Sequence, residues 1–304
     1  MTPPLPASSR RLLPRLRQAL RLQRWRIERV LVSGGEEAVH DLRVALRRTA
    51  SLARVGRGVP AAAVSRSLQK EARNLRRALS VHRTQEVCAS LLLARFENDP
   101  RRRAAARAAA RRILGGPPSA SALRAAAFVR RLDRLRALFD ARERELSRLI
   151  RADEAPSAAG SAADRLDRRA ERRLRSVTAR LEASGPPRRP SLHPFRIAAK
   201  QLRYTLEFLE EGVPGAPSLL RTLRQFQDLS GEAHDRMELA AAVKRLAAAA
   251  RPGAPVRSLV RPLEADARRV VAQALGAAGG LLEQVRGLHA CLGPLSSSKG
   301  RSRP

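Results

Sequence analysis

Apolar residues return at every third or fourth position in stretch after stretch of this chain, and no stretch alternates convincingly at every second one. A helix that buries one face needs the longer period, and a half-buried strand needs the shorter. The pattern therefore requires helices packed on helices, an all-α fold. Composition agrees. Hydrophobic residues, 43% of the chain, are mostly Ala and Leu, while aromatic residues make up 3%. Such residues favour helix, and the β-branched and aromatic types that favour strands are few.

Turn-forming clusters cut the pattern into segments. Helices are expected over Leu12 to Leu31, Val39 to Val55, Ala62 to Leu79, Thr84 to Phe96, Arg101 to Leu114 and Ser121 to Ile150. Ser33 and Glu36 read as a capping box ahead of the second helix. GRGVP (Gly56–Pro60) closes that helix. The stretch ADEAPSAAGSAAD (Ala152–Asp164) has the small, polar composition of a linker. The chain thus reads as a first helical half (1–151), a linker (152–164), a second helical half (165–293) and a polar tail expected to be disordered (294–304). In the second half, helices are expected to Ala183, from Ser191 to Glu211, and as a pair, Leu219 to Leu229 and Glu232 to Ala250, around Ser230-Gly231. Two further helices are expected to end near Leu292.

The charge is far from balanced: 61 Lys and Arg against 28 Asp and Glu, a formal net charge of +33. Self-repulsion on this scale strains a compact fold, and a polyanionic partner relieves it. Nearly all the cations are arginine, whose planar fork grips phosphate oxygens two at a time. A GC-rich genome accounts for Arg in place of Lys, but not for the excess of bases over acids. Two cysteines, Cys88 and Cys291, give no disulfide framework and no cysteine-rich zinc site, and both read as core residues. Trp25 reads as a packing residue. No signal peptide is visible, and no run of about 18 apolar residues provides a membrane span. The expected address is the cytoplasm.

A repeat underlies the two halves. VHDLRVALRR (Val39–Arg48) aligns with LHPFRIAAKQ (Leu192–Gln201), sharing an apolar-His-x-apolar-Arg-apolar frame. Downstream, LRRALSVHRTQEV (Leu75–Val87) aligns with FQDLSGEAHDRMEL (Phe226–Leu239), which sets Arg83-Thr84 over His234-Asp235. At about 100° per residue, His193, Arg196, Lys200 and Arg203 fall within an arc of roughly 80°, with Phe195, Leu202, Leu206 and Leu209 opposite. His40, Arg43 and Arg47 repeat the pattern, with Leu42 and Leu46 opposite. Stacked cations repel one another, so each ridge makes sense beside something anionic. Apart from Asp41, which points away, no acid is expected to interrupt the two ridges.

These motifs resemble the CHAD domain, the histidine-containing α-helical domain whose members bind inorganic polyphosphate. The resemblance rests on Val39–Arg48, Leu79–Val87, His193–Tyr204 and Leu229–Asp235, and runs from about Leu12 to Leu292. It implies two pseudo-symmetric antiparallel four-helix bundles with a basic cavity between them, and a binding module without catalysis or cofactor. Carried onto this chain, the implied polyphosphate ligands are His40, Arg43, Arg47, Arg48, Arg76 and Arg83 in the first half. His193, Arg196, Lys200, Arg203, Tyr204 and His234 serve in the second, with Asp235 orienting its neighbours. Inorganic polyphosphate is the implied partner, with targeting to polyphosphate granules as a further expectation. Ala50 stands where the family pattern has a further arginine, Thr84 where it has an acid and Ser80 where it has a glycine.

Two other readings stand beside this one. His193, His234-Asp235 and Asp266 follow the order of helical metal-dependent phosphohydrolases, in which two His and two Asp hold a metal that activates water. Alternatively, the charge alone suits nonspecific nucleic-acid binding, although aromatic residues are too few to stack bases.

Overall fold

A computed structural model of the protein describes residues 12–33, 38–58, 62–115, 126–153, 162–209 and 213–292. Ten α-helices and three short 3-10 turns account for most of these residues, and no strand occurs among them. The all-α expectation holds. Ser33 is the last residue of α1, while Glu36 of the expected capping box, the centre of the linker and the polar tail lie outside the described residues.

The helices α1 (Leu12–Ser33), α2 (Ala38–Val55), α3 (Ala62–Ala78) and α6 (Ala126–Asp153) pack in a ring, α1 on α2, α2 on α3, α3 on α6, and α6 back on α1. A second ring forms in the same way from α7 (Ala162–Ala183), α8 (Leu192–Leu209), α9 (Ala216–Ala248) and α10 (Val260–Leu292). Contacts of α2 with α7 and α8, and of α1 with α7, join the rings. One continuous apolar core runs through both, from Leu13, Leu42 and Leu75 to Leu202, Leu223 and Leu281. Each fully buried Leu contributes about 1.5–3 kcal/mol by leaving water. Between α3 and α6, α4 (Ser80–Arg95) and α5 (Pro100–Leu114) form a hairpin that packs on α9 and on the turn Pro255–Leu259. A smaller core of Cys88, Leu92, Phe96, Leu239, Val243 and Leu263 lies beneath this hairpin.

Local chemistry sets the element ends. Asp99 caps α5 by accepting from the Arg102 amide at 3.2 Å, and Pro100 follows at the first helical position. The turn Gly56–Gly58 that ends α2 is tied to α6 by the fully buried Arg142, whose Nη2 donates to the Gly56 carbonyl at 2.8 Å. Burial pushes the Arg142 guanidinium down to about 10.

Four expectations are corrected. The pair around Ser230-Gly231 is one helix, α9, of 33 residues. A helical glycine costs about 1 kcal/mol relative to alanine, but Phe226, Gln227, Ser230 and Ala233 are buried on both sides of Gly231 and hold the segment straight through it. Likewise the last two helices are one, α10, preceded by a 3-10 turn. Trp25 is exposed, with the Arg29 guanidinium 5.2 Å over its ring. Of the two cysteines, Cys88 is buried and Cys291 exposed.

Candidate anion-binding site

The two repeated helices, α2 and α8, lie in contact with each other. Each turns its expected apolar side inward: Leu42 and Leu46 on α2, Leu202 and Leu206 on α8, are fully buried. That leaves the cationic sides half-covered at the seam. Burial depresses both Arg196 and Lys200 of α8, and Arg47 of α2 stands close enough to add to it. Arg76 of α3 joins them, depressed first by burial and then by Arg47, while Tyr204 of α8 acts in the opposite sense. The Nε atoms of Arg47 and Arg196 are buried without a hydrogen-bond partner. Donors in that condition are costly to leave unmet, and an anion's oxygens would meet them.

Lys200 lies at the centre of the cluster. Burial pushes its ammonium down to about 7, and Arg196, Arg47 and Arg203 push the same way, while Asp235 opposes them. Its low value follows from desolvation and like charge together. His234 of α9 faces the same cluster, its ring centroid 5.6 Å from that of His193. Burial is the main cause of its lowered pKa, and Arg196 adds to it; Asp235 and Glu238 pull it back up, and His193 lowers it further. Asp235 therefore acts on Arg196, Lys200 and His234 at once, as the anion already built into the cluster. On the far side, Cys88 of α4 lies near Asp235 and Glu238, and burial pushes its thiol up to about 11.

Two arginines of the ridges are also tied to the backbone. Arg43 Nη1 donates to the Leu79 carbonyl at 2.9 Å, and Arg196 Nη1 to the Ser230 carbonyl at 3.4 Å. In the register of the repeat Arg43 falls over Arg196 and Leu79 over Ser230, so the two halves make the same contact. In the first half it has an extra use. Leu79 is the single residue between α3 and α4 and the N-cap of α4, so Arg43 ties α2 to the elbow between those two helices.

Not every residue of the implied set converges here, and Arg203, which bears on Lys200, is shared with an acid. Arg48 and Arg203 both turn to Glu207, with Nε to carboxylate distances of 3.9 and 3.4 Å, and Arg203 lies 5.0 Å over the Tyr204 ring. Glu207 corrects the expectation that no acid interrupts the α8 ridge. It stands four residues after Arg203, a spacing at which an ion pair across one helical turn could have been read from the sequence. Arg48, Tyr204 and Glu207 line a separate cavity of 280 Å³ with Arg15, Arg26 and Arg224. His40 is exposed near the start of α2. Arg83 lies on α4, and its side chain is outside the described residues.

The arrangement gives the phosphohydrolase reading no support. Asp266, its fourth ligand, is held by Arg95 at 2.5 Å. Among the described residues no three of His, Cys, Asp and Glu come together as metal ligands. No helix among them is long and apolar enough to cross a membrane.

Comparison with known proteins agrees with the resemblance seen in the motifs. No curated protein matches the sequence. Among solved structures, the chain is similar to the crystal structure of the CHAD domain from the plant Ricinus communis, at 23% identity and a TM-score of 0.55, over 92% of this chain and 91% of that one. It is also similar to PptA from Streptomyces chartreusis, at 20% identity and a TM-score of 0.58, over 90% of this chain and 99% of that one. Likeness at this identity establishes the fold. The family model for the CHAD domain matches residues 16–245, more than half of the sequence, and the chain belongs to the CHAD domain family.

Proposed function

We propose that this protein binds inorganic polyphosphate at the seam of α2 and α8, and does so without turning it over. The observation that carries the reading is Lys200, half-buried among Arg47, Arg196 and Arg203, with Asp235 as the carboxylate that opposes them. Such a cluster is unfavourable when empty, and phosphate oxygens supply both the negative charge and the acceptors that its buried Nε donors lack. The family is associated with polyphosphate, which supports the same ligand. A chain of phosphates carries charge at every unit and has no bases to stack, which suits a site built from guanidinium groups. Targeting of the protein to polyphosphate granules would follow from this affinity.

Competition tests the reading. Labelled long-chain polyphosphate bound to the protein at moderate salt is titrated with unlabelled polyphosphate and with duplex DNA, and phosphate release is followed in parallel. Polyphosphate is expected to compete better than DNA per phosphate, with no release. Equal competition by DNA would support a general polyanion binder, and metal-dependent release abolished by Asp235→Ala would support the hydrolase.

A further inference from the structure

The cationic ridge of α2 does not stop at Arg47. Arg54 lies seven residues further on, two turns along the same face and about 10 Å along the axis. In the register that sets His40 over His193, Arg54 falls over Glu207. The second half thus places an acid where the first half places another arginine. Glu207 pairs by charge with Arg48 and Arg203, whereas Arg54 is surrounded by more of its own kind.

Three elements bring those arginines together. α7 packs on both α2 and the turn Gly56–Gly58, and α3 packs on both as well. Arg169, Arg173 and Arg180 share one face of α7, at positions i, i+4 and i+11. Arg57 comes from the turn, held by an Nη2 donation to Gln69, and Arg73 comes from α3. Arg173 Nε and Nη2 and Arg57 Nε are buried without a hydrogen-bond partner. Glu171, an acid on α7, is taken by Arg175 at 2.6 Å. Burial depresses Arg54 and brings Arg173 to about 10, and the leading charges on each are other arginines: Arg73, Arg57 and Arg180 on Arg54, and Arg54, Arg169, Arg180 and Arg57 on Arg173. Arg73 also acts on Arg76, so this cluster adjoins the Lys200 cluster without a break.

We propose that Arg54, Arg57, Arg73 and Arg173 form a second phosphate-binding subsite that continues the track from the Lys200 cluster along α2, so that a long polyphosphate chain occupies both. The proposal rests on the reading given under Proposed function and adds a consequence of its own. Short chains fill one cluster; long chains gain from both, because the second contact is made by a ligand already held.

The test compares tripolyphosphate with long-chain polyphosphate on the wild-type protein and on Arg54→Gln with Arg173→Gln. The paired variant should bind tripolyphosphate within about twofold of wild type. It should bind the long chain at least about tenfold more weakly, with a salt slope shallower by about 1.4, two contacts at about 0.7 each. Arg54→Lys with Arg173→Lys, which keeps the charge, should recover most of the long-chain affinity. Removing two mutually repelling cations should leave the melting temperature equal or higher, which separates lost binding from lost folding. Unchanged long-chain affinity and slope in the Gln pair, with Lys200→Ala still impaired, would overturn the second subsite alone. Failure of the wild type to bind either chain would overturn the reading beneath it.

Discussion

Arg43 donates to the carbonyl of Leu79, the one residue that separates α3 from α4. A ridge residue thus also fastens the elbow from which the α4–α5 hairpin departs toward α9. Removing it would cut the charge-assisted hydrogen bond that ties α2 to this elbow. Arg43→Ala is expected to destabilise the protein by about 1–3 kcal/mol. Urea unfolding read by circular dichroism checks this, and hydrogen exchange should show the loss concentrated at the elbow.

Lys200 sets binding against stability. Its pKa in the folded chain is depressed, so unfolding takes up protons between about pH 7 and the ordinary lysine range, and the empty protein becomes more stable as pH rises across that window. Lys200→Met removes a charge that the fold disfavours. It should raise the unfolding free energy at pH 7 by about 1–3 kcal/mol while weakening polyphosphate binding. A thermal melt and a binding titration on the same sample measure both.

Proton uptake should accompany binding. Phosphate beside Lys200 and His234 favours their charged forms, raising two values that burial lowers. Affinity is therefore full below the empty-site values and falls as pH rises through about 7, levelling off above the values in the complex. Arg196, Arg47, Arg203, Asp235, Glu238 and His193 face these groups; the acids limit the depression and the cations deepen it. Calorimetry in buffers of different ionisation enthalpy counts the protons. A count of zero at pH 7.5 would contradict the assignment.

Glu207 restrains two arginines. Glu207→Gln should release Arg48 and Arg203, tighten polyphosphate binding severalfold and reduce stability by about 1 kcal/mol or less, the scale of a partly exposed ion pair. Binding and melting curves of the variant report the two effects in opposite directions.

Much of the candidate site's layout was legible because its parts are local. The stripes on α2 and α8 follow from helical spacing within each segment, and Leu42, Leu46, Leu202 and Leu206 are buried as their positions require. What spacing within one segment does not carry is which segments meet. That Arg47 faces Lys200 rather than solvent, that Arg48 turns to Glu207 instead, and that α7 brings Arg173 to Arg54 all depend on packing between helices far apart in sequence. Gly231 misled for a related reason. Glycine weakens a helix locally, but burial on either side of it decided the outcome. Arg54 carried a signal that could have been used, since it continues the α2 ridge at i+7 from Arg47.

The central claim is that Arg196 and Lys200 hold phosphates at the seam of α2 and α8. The most direct measurement is the polyphosphate Kd against salt concentration for the wild type and for Arg196→Ala with Lys200→Ala. Loss of two contacts predicts weaker binding and a log–log slope shallower by about 1.4. A double variant with the wild-type slope and affinity would contradict it.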